Sequence, residues 1–172
     1  MNCGETYKKA YEENLEAAQE YQDFITDQLL RRGIVLNQYA SRKYQYERGE
    51  SASGIEVKFD NRMSDTGNIY IEVDERSNPW DKSDFTPSGI YREDDTWLYL
   101  IGNYEKALLL SKKQIRHVVD MVKAGKFRDS ATVRKVSCGE PGHETSHGYL
   151  FDYEKLEASP WCLFSFKFDA GR

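Results

Sequence analysis

The sequence predicts an α/β fold in which a mixed central β-sheet is flanked by helices. Residues 5–32 contain no glycine or proline and are rich in Glu, Ala, Gln and Leu, which indicates a long first helix. Residues 54–76 hold two runs in which apolar and charged residues alternate, the pattern of half-buried strands. Residues 96–125 indicate two strands followed by a helix. The whole chain, residues 1–172, is therefore expected to form a single domain.

The first helix has an apolar face and the residues expected at a helix C-terminus. Its apolar positions follow near-helical spacing, at Ala17, Tyr21, Phe24, Ile25 and Leu29. Arg31 and Arg32 suit the negative end of the helix dipole, and Gly33 suits a C-terminal stop. We therefore expect this helix to present one apolar face to the sheet.

The segment 54–76 is the most informative part of the chain. In each run the apolar residues fall on one side, and the turn-prone residues 64–68 lie between the runs. We expect the two runs to pair as an antiparallel hairpin, with their polar sides in one patch. That patch would contain Glu56, Lys58, Asp60, Tyr70, Glu72 and Asp74.

The remainder of the chain alternates between loops and short elements. Residues 77–91 contain Pro79 and Pro87, which exclude a central strand. Residues 96–101 are predicted to form a buried strand, and Ser111 is predicted to cap a helix that ends near Gly125. The mixed tail, residues 126–172, has a glycine-rich loop, a short helix near 153–158 and a last apolar run.

Composition narrows the class of protein. The chain has 39% apolar and 31% charged residues, which is typical of a globular domain. Its net charge of −5 argues against a protein that binds polyanions over its whole surface. The three scattered cysteines suit a reducing compartment, and no apolar run reaches the roughly 18 residues of a membrane span. We therefore expect a cytoplasmic protein with no membrane partner.

The charged side of the expected hairpin suggests a metal site. If Lys58 lies opposite Glu72, then Asp60 and Glu72 are diagonal neighbours at about 7–8 Å and can share one divalent ion. Mg²⁺ or Mn²⁺ bound by two carboxylates suits phosphate chemistry. Lys58 would then hold the attacking water or stabilise charge on the phosphate.

These residues resemble the motif of the PD-(D/E)XK nuclease superfamily, in which an Asp on one strand precedes an acid-x-Lys on the next. Asp60 resembles the first acid, and Glu72, 12 residues later, resembles the second. The segment PSGIYREDDTWLYLI, residues 87–101, is similar to the loop and strand that follow the core in several members, and the likeness covers residues 5–122.

The resemblance implies a restriction-endonuclease-like core that hydrolyses DNA phosphodiester bonds with Mg²⁺ or Mn²⁺. The nearest pattern is that of small phage or mobile-element members. The implied catalytic residues are Asp60, Glu72, Lys58 and Glu56. The implied metal ligands are Asp60, Glu72 and Asp74.

One position departs from the superfamily pattern. Two residues after Glu72, where the superfamily has Lys, this chain has Asp74. Lys58 and Arg76 are the two candidates for a relocated cation. The alternatives are a catalytically inactive domain of the same fold that binds nucleic acid or a protein partner, or a solvated row of cross-strand ion pairs.

A second assignment of the motif is also open. Glu56-Val57-Lys58 reads literally as acid-x-Lys, and Glu50 would then be its first acid. The first helix of the superfamily often supplies one more acid. The corresponding position here is near Gln22, which lies between Glu20 and Asp23. We favour the assignment that uses Asp60 and Glu72.

Basic residues indicate where DNA would bind. Cations interleaved with tyrosines within residues 39–48 can contact a phosphate backbone and stack on exposed bases. The predicted nucleic-acid-binding residues are Arg42, Lys43, Arg48, Lys112 and Lys113. The alternative is a set of solvated helix faces. The sequence leaves open whether the protein forms a homodimer.

A zinc site is a further alternative in the tail. Cys138, His143 and His147 follow a C-x4-H-x3-H spacing, but a second cysteine and an evident fourth ligand are missing. A flexible polar loop near the substrate is the favoured interpretation.

Overall fold

The computed structural model describes residues 3–76, 78, 80, 84–127 and 133–168. The helices of these residues are α1 (Cys3–Leu30), α2 (Arg42–Arg48), α3 (Met63–Thr66), α4 (Lys112–Lys123) and α5 (Tyr153–Glu157). The strands are β1 (Ile55–Phe59), β2 (Asn68–Glu75), β3 (Thr86–Pro87), β4 (Leu98–Gly102), β5 (Lys106–Ser111), β6 (Val133–Glu140), β7 (His143–Asp152) and β8 (Cys162–Lys167). A 3-10 turn spans Gly89–Tyr91.

The described strands form two four-stranded sheets. The first has the order β1-β4-β5-β8 and is mixed, because β1 runs parallel to β4 while the other pairs are antiparallel. The second has the order β3-β2-β7-β6 and is antiparallel throughout. The predicted α/β class with a mixed sheet and flanking helices is confirmed, and the second sheet is an addition to the prediction.

The predicted hairpin between the two alternating runs is wrong. In β1, Lys58 lies beside Ile101 of β4, and in β2, Glu72 lies opposite Gly148 of β7. Lys58 and Glu72 are therefore not cross-strand partners, and Asp60 is not a diagonal neighbour of Glu72 in one ladder.

The connection between β1 and β2 explains the separation. It folds as the helical turn α3, which buries Met63 to 1% exposure and ends at Gly67 with φ of 66°. Met63 packs in the core that contains residues of both sheets, so the chain passes from the first sheet to the second at this turn. An alternating pattern specifies which side of a strand is buried but not which strand lies beside it.

Two apolar cores position the polar side of β1. The first core lies between α1 and the first sheet and contains Tyr21, Ile25, Leu29, Leu36, Val57, Leu100, Ala107, Phe166 and Phe168. The second contains residues of both sheets and of α4, among them Ile69, Ile71, Tyr99, Ile101, Leu110, Val119 and Phe151. Since Val57 faces α1, the neighbouring Glu56 and Lys58 lie on the side of Tyr99 and Ile101, toward the second sheet.

Several local predictions are confirmed. The Ser111 side chain accepts a hydrogen bond from the Gln114 amide and caps α4, which buries Ile115, Val118 and Val119. In the tail, α5 and β8 match the predicted short helix and last apolar run. The predicted glycine-rich loop is instead the tight connection of a β6–β7 hairpin. None of the helices among the described residues is both long and apolar enough to span a bilayer.

Candidate active-site cleft

A cleft of about 520 Å³ brings together three of the predicted site residues. Lys58 and Asp60 reach it from the end of β1, and Glu72 reaches it from β2. Tyr70 and Tyr99 also line it. Residues from two different sheets therefore meet at one cavity, although the strands that carry them are not paired.

Asp60 joins the end of β1 to the start of β2. Its Oδ2 accepts a hydrogen bond from the Tyr70 amide at 2.9 Å, and its Oδ1 accepts one from the Arg62 amide at 3.1 Å. Burial raises the pKa of Asp60, while these amides partly offset the increase. Each carboxylate oxygen has a second lone pair, so these bonds leave acceptor capacity for a ligand.

Glu72 is held by the 3-10 turn that follows β3. The buried Ser88 hydroxyl donates a hydrogen bond to Glu72 Oε1 at 2.6 Å. Gly89 allows this approach, because a Cβ atom there would lie 2.2 Å from the Glu72 carbonyl oxygen. Burial raises the pKa of Glu72, and the Ser88 hydrogen bond and the Lys58 charge act against the increase. The Ser-Gly pair therefore orients the Glu72 side chain.

Lys58 carries its charge between carboxylates. Its Nζ lies 2.5 Å from Glu56 Oε1 and 3.8 Å from Glu50 Oε1. Burial by itself would lower the pKa of Lys58, but the charges of Glu56 and Glu50 outweigh burial and raise it. Lys58 is thus an ammonium ion at neutral pH and is suited to stabilise negative charge rather than to accept a proton.

The three residues of the alternative motif assignment, Glu50, Glu56 and Lys58, also form a cluster in which Lys58 contacts both acids. Glu50 Oε2 accepts hydrogen bonds from Gln22 Nε2 at 3.1 Å and from the Val57 amide at 3.0 Å. Glu56 is only 1% exposed, and its Oε2 has no hydrogen-bond partner among the described residues. Gln22, at the predicted α1 position, thus contacts this cluster through its side-chain amide, whereas the neighbouring Glu20 and Asp23 are exposed. The cluster is joined to α1 through the Glu50–Gln22 hydrogen bond.

Asp74 and Arg76 do not join the cleft. Asp74 Oδ1 lies 2.6 Å from His147 Nδ1, its partner across the β2–β7 ladder. Arg76 donates to the Glu144 carbonyl oxygen and stacks over the Phe85 ring. β2 is irregular between Glu72 and Asp74, and the predicted metal ligand Asp74 contacts His147 and does not line the cleft. Lys58 is therefore the better candidate for the relocated cation.

The predicted zinc residues occupy separate places. Cys138 lines the cleft, His143 packs against Trp80 at a ring separation of 3.9 Å, and His147 contacts Asp74. Across residues 3–76, 84–127 and 133–168, no three His, Cys, Asp or Glu side chains converge as a metal site. A magnesium ion held by two carboxylates and water is a different arrangement.

The predicted nucleic-acid-binding residues divide into exposed and buried groups. Lys43, Arg48 and Lys113 are exposed, and the Arg48 guanidinium lies over the Tyr44 ring at 5.9 Å. The Arg42 side chain lies outside the described part of the chain. Three of the five predicted cations are therefore placed where a phosphate can reach them.

The prediction that Lys112 contacts nucleic acid at the protein surface is wrong. It is 7% exposed, and its Nζ donates to Asp94 Oδ1 at 2.7 Å and to the Arg92 carbonyl oxygen at 2.8 Å. As the first residue of α4, Lys112 points into the polar segment that precedes β4, while Lys113 beside it points to solvent.

Sequence reasoning missed two cations at the cleft. Arg62 and Arg134 line it, and both are exposed. Arg62 follows Asp60 by two residues, so its place in the sequence could have indicated that it lies near the cleft. Arg134 comes from β6, and only the second sheet's topology brings it to the cleft.

No protein-family model, curated protein or solved structure matches this chain. The likeness to the PD-(D/E)XK superfamily therefore rests on the residues and motifs quoted above.

Proposed function

We propose that the protein is a metal-dependent nuclease that hydrolyses phosphodiester bonds in DNA, of PD-(D/E)XK type with a relocated lysine. The observation that carries this proposal is the convergence of Lys58, Asp60 and Glu72 at one cleft from two different sheets. The same three residues carry the motif in the sequence. A cleft that joins acids to a fixed cation suits a substrate whose charge must be neutralised during reaction.

The donor groups of the cleft fit a hard divalent ion. Asp60 and Glu72 would hold Mg²⁺ or Mn²⁺ through carboxylate oxygens, with water completing the shell. A bound ion would supply an activated water and neutralise charge on the phosphate. Asp74 is not part of this set, because its carboxylate contacts His147.

Side chains of this protein would stabilise the developing charge and bind the DNA phosphates. The Lys58 ammonium stabilises the negative charge that develops on the phosphate oxygens, and Glu56 and Glu50 keep it in position. Arg62 and Arg134 contact neighbouring phosphates of the bound strand. Glu56 is therefore a positioning residue, since it acts through Lys58.

A specific observation favours the second candidate, a nuclease-fold domain without catalytic activity. Both Asp60 oxygens already accept backbone hydrogen bonds, which is sufficient to explain Asp60 as a structural residue of the β1–β2 connection. The presence of Asp74 where the superfamily has Lys also favours a domain without catalytic activity. Such a domain would bind nucleic acid or a protein partner in a phage or mobile-element setting. A cytoplasmic location is part of either proposal and agrees with the free thiols of Cys138 and Cys162.

A cleavage assay separates the two candidates. Supercoiled plasmid and branched DNA are incubated with Mg²⁺ or Mn²⁺ and the wild-type protein, Asp60→Asn, Glu72→Gln or the surface control Glu13→Gln. We expect the wild type and Glu13→Gln to cleave at equal rates, and each cleft variant to lose at least about a hundredfold. Cleavage that survives both cleft substitutions contradicts the mechanism. Metal-independent binding without cleavage by the wild type supports the inactive domain.

A further inference from the structure

A second cleft, of about 500 Å³, lies away from the proposed active site. It is formed by the end of α2, the segment 92–97 and the start of α4. It shares none of its lining residues with the first cleft. Its most distinctive residue is Trp97, which the sequence predicts to lie in a buried strand.

Trp97 is exposed and yet held in one orientation. The residue is 60% exposed, and its indole Nε1 donates to the Ser53 carbonyl oxygen at 3.1 Å. The ring packs against Gly54, where a Cβ atom would lie 2.2 Å from Trp97 Cδ1. A fixed aromatic surface open to solvent is the kind of platform on which an unpaired base stacks.

The two exposed cations of this cleft lie on one element. Lys113 and Arg116 lie on the first turns of α4, and both are exposed. The Arg116 guanidinium is supported by the Tyr91 ring at 4.9 Å. These two side chains are placed to contact a phosphate backbone that passes α4.

The other elements of this cleft carry acidic and polar groups and one further cation, Arg92, which pairs with Glu75 and lies over the Tyr46 ring. Glu93 and Asp95 are exposed on the segment before β4, so a duplex with phosphates on both sides would meet repulsion there. Asp94 Oδ2 and Thr96 Oγ1 are buried without a hydrogen-bond partner among the described residues. These two atoms therefore lie beneath the cleft surface, and the exposed carboxylates disfavour a second row of phosphates.

We propose that this cleft binds an unpaired nucleobase of a single-stranded nucleic acid, with the base stacked on Trp97 and flanking phosphates on Lys113 and Arg116. The inference rests on the proposed nuclease function, which it deepens by naming single-stranded segments as the substrate class. An exposed Trp among mixed charges is also found at protein interfaces, so a protein is the alternative occupant of this cleft.

The test measures binding of a short fluorescein-labelled oligothymidylate by anisotropy, in EDTA so that cleavage cannot contribute. We expect Trp97→Ala to weaken binding by about fivefold to a hundredfold, the range of a lost base–aromatic stack, and Trp97→Phe to retain most of the affinity. Trp80→Ala, which removes another half-exposed Trp, is the matched control and is expected to bind like the wild type. The double variant Lys113→Gln, Arg116→Gln should reduce the salt dependence of binding.

Several results would overturn the inference. They are equal affinities of the wild type, Trp97→Ala and Trp97→Phe, a loss in Trp80→Ala as large as in Trp97→Ala, or tighter binding of duplex than of single-stranded DNA. Absence of oligonucleotide binding by the wild type also overturns it. The surface control Glu13→Gln is expected to bind as the wild type does. Binding that depends on Trp97 without any cleavage by the wild type in Mg²⁺ would reject hydrolysis and retain this site.

Discussion

Lys58 depends on carboxylates that come from three places in the chain. Glu56 lies on its own strand, Glu50 precedes β1, and Glu72 comes from the other sheet. Alternation in the sequence predicts that Lys58 and Glu56 share a side, because strand geometry dictates it. It does not predict the contact with Glu50, which depends on how the segment before β1 packs under Gln22.

The first residue-scale prediction concerns Glu50 and pH. Burial raises the pKa of Glu50 in the folded protein above its unfolded value near 4.3, so the folded state holds the proton more tightly. Its contribution to stability is complete below about pH 4 and is lost as pH rises through the folded pKa. Gln cannot ionise, so we expect Glu50→Gln to lack this pH-dependent loss of stability. The unfolding free energy of Glu50→Gln minus that of the wild type should therefore increase with pH. Urea unfolding between about pH 4 and 8 measures this, and parallel curves for the two proteins would refute it.

The second residue-scale prediction concerns the buried pair of Lys112 and Asp94. Lys112→Met leaves the Asp94 charge buried without its partner, which should cost about 3–5 kcal/mol of the unfolding free energy. Lys113→Met, one residue further along the same helix, is exposed and should change stability by less than about 0.5 kcal/mol. Equal urea midpoints for the two variants would show that Lys112 is not buried in solution.

At the scale of elements, strands were easier to predict than their partners. Both alternating runs are strands, and the apolar run at residues 98–101 is the fully buried β4. The pairing of β1 with β4 joins segments about 40 residues apart and depends on the packing of α1 against the first sheet. Local alternation contains no information about that packing, so the nearer strand was wrongly taken as the partner.

The element-scale prediction tests the β1–β2 connection. Met63→Ala removes a buried side chain from α3 and should cost about 2–5 kcal/mol. Asp65→Ala, two residues later on the exposed side of the same turn, should cost less than about 0.5 kcal/mol. Chemical unfolding compares the two. A small cost at both positions would indicate a solvent-exposed hairpin turn, as the sequence first suggested.

At the scale of the whole molecule, the sequence predicted which residues meet at the cleft better than how the strands bring them there. Lys58, Asp60 and Glu72 were predicted to meet, and they line one cavity. They do so because Asp60 bonds the Tyr70 amide across two sheets, which no local pattern specifies. Arg134 and Trp97 were missed for the same reason, since the position of each in a cleft depends on the surrounding topology.

The central claim is that Asp60 and Glu72 hold one divalent ion between the two sheets. Mn²⁺ binding, followed by calorimetric titration of the wild type, Asp60→Asn, Glu72→Gln and Glu13→Gln, tests it most directly. We predict that the wild type and Glu13→Gln bind one ion with equal affinity, and that each cleft variant loses about tenfold or more, since each lacks one carboxylate ligand. Mn²⁺ binding that is unchanged in both cleft variants would contradict the account.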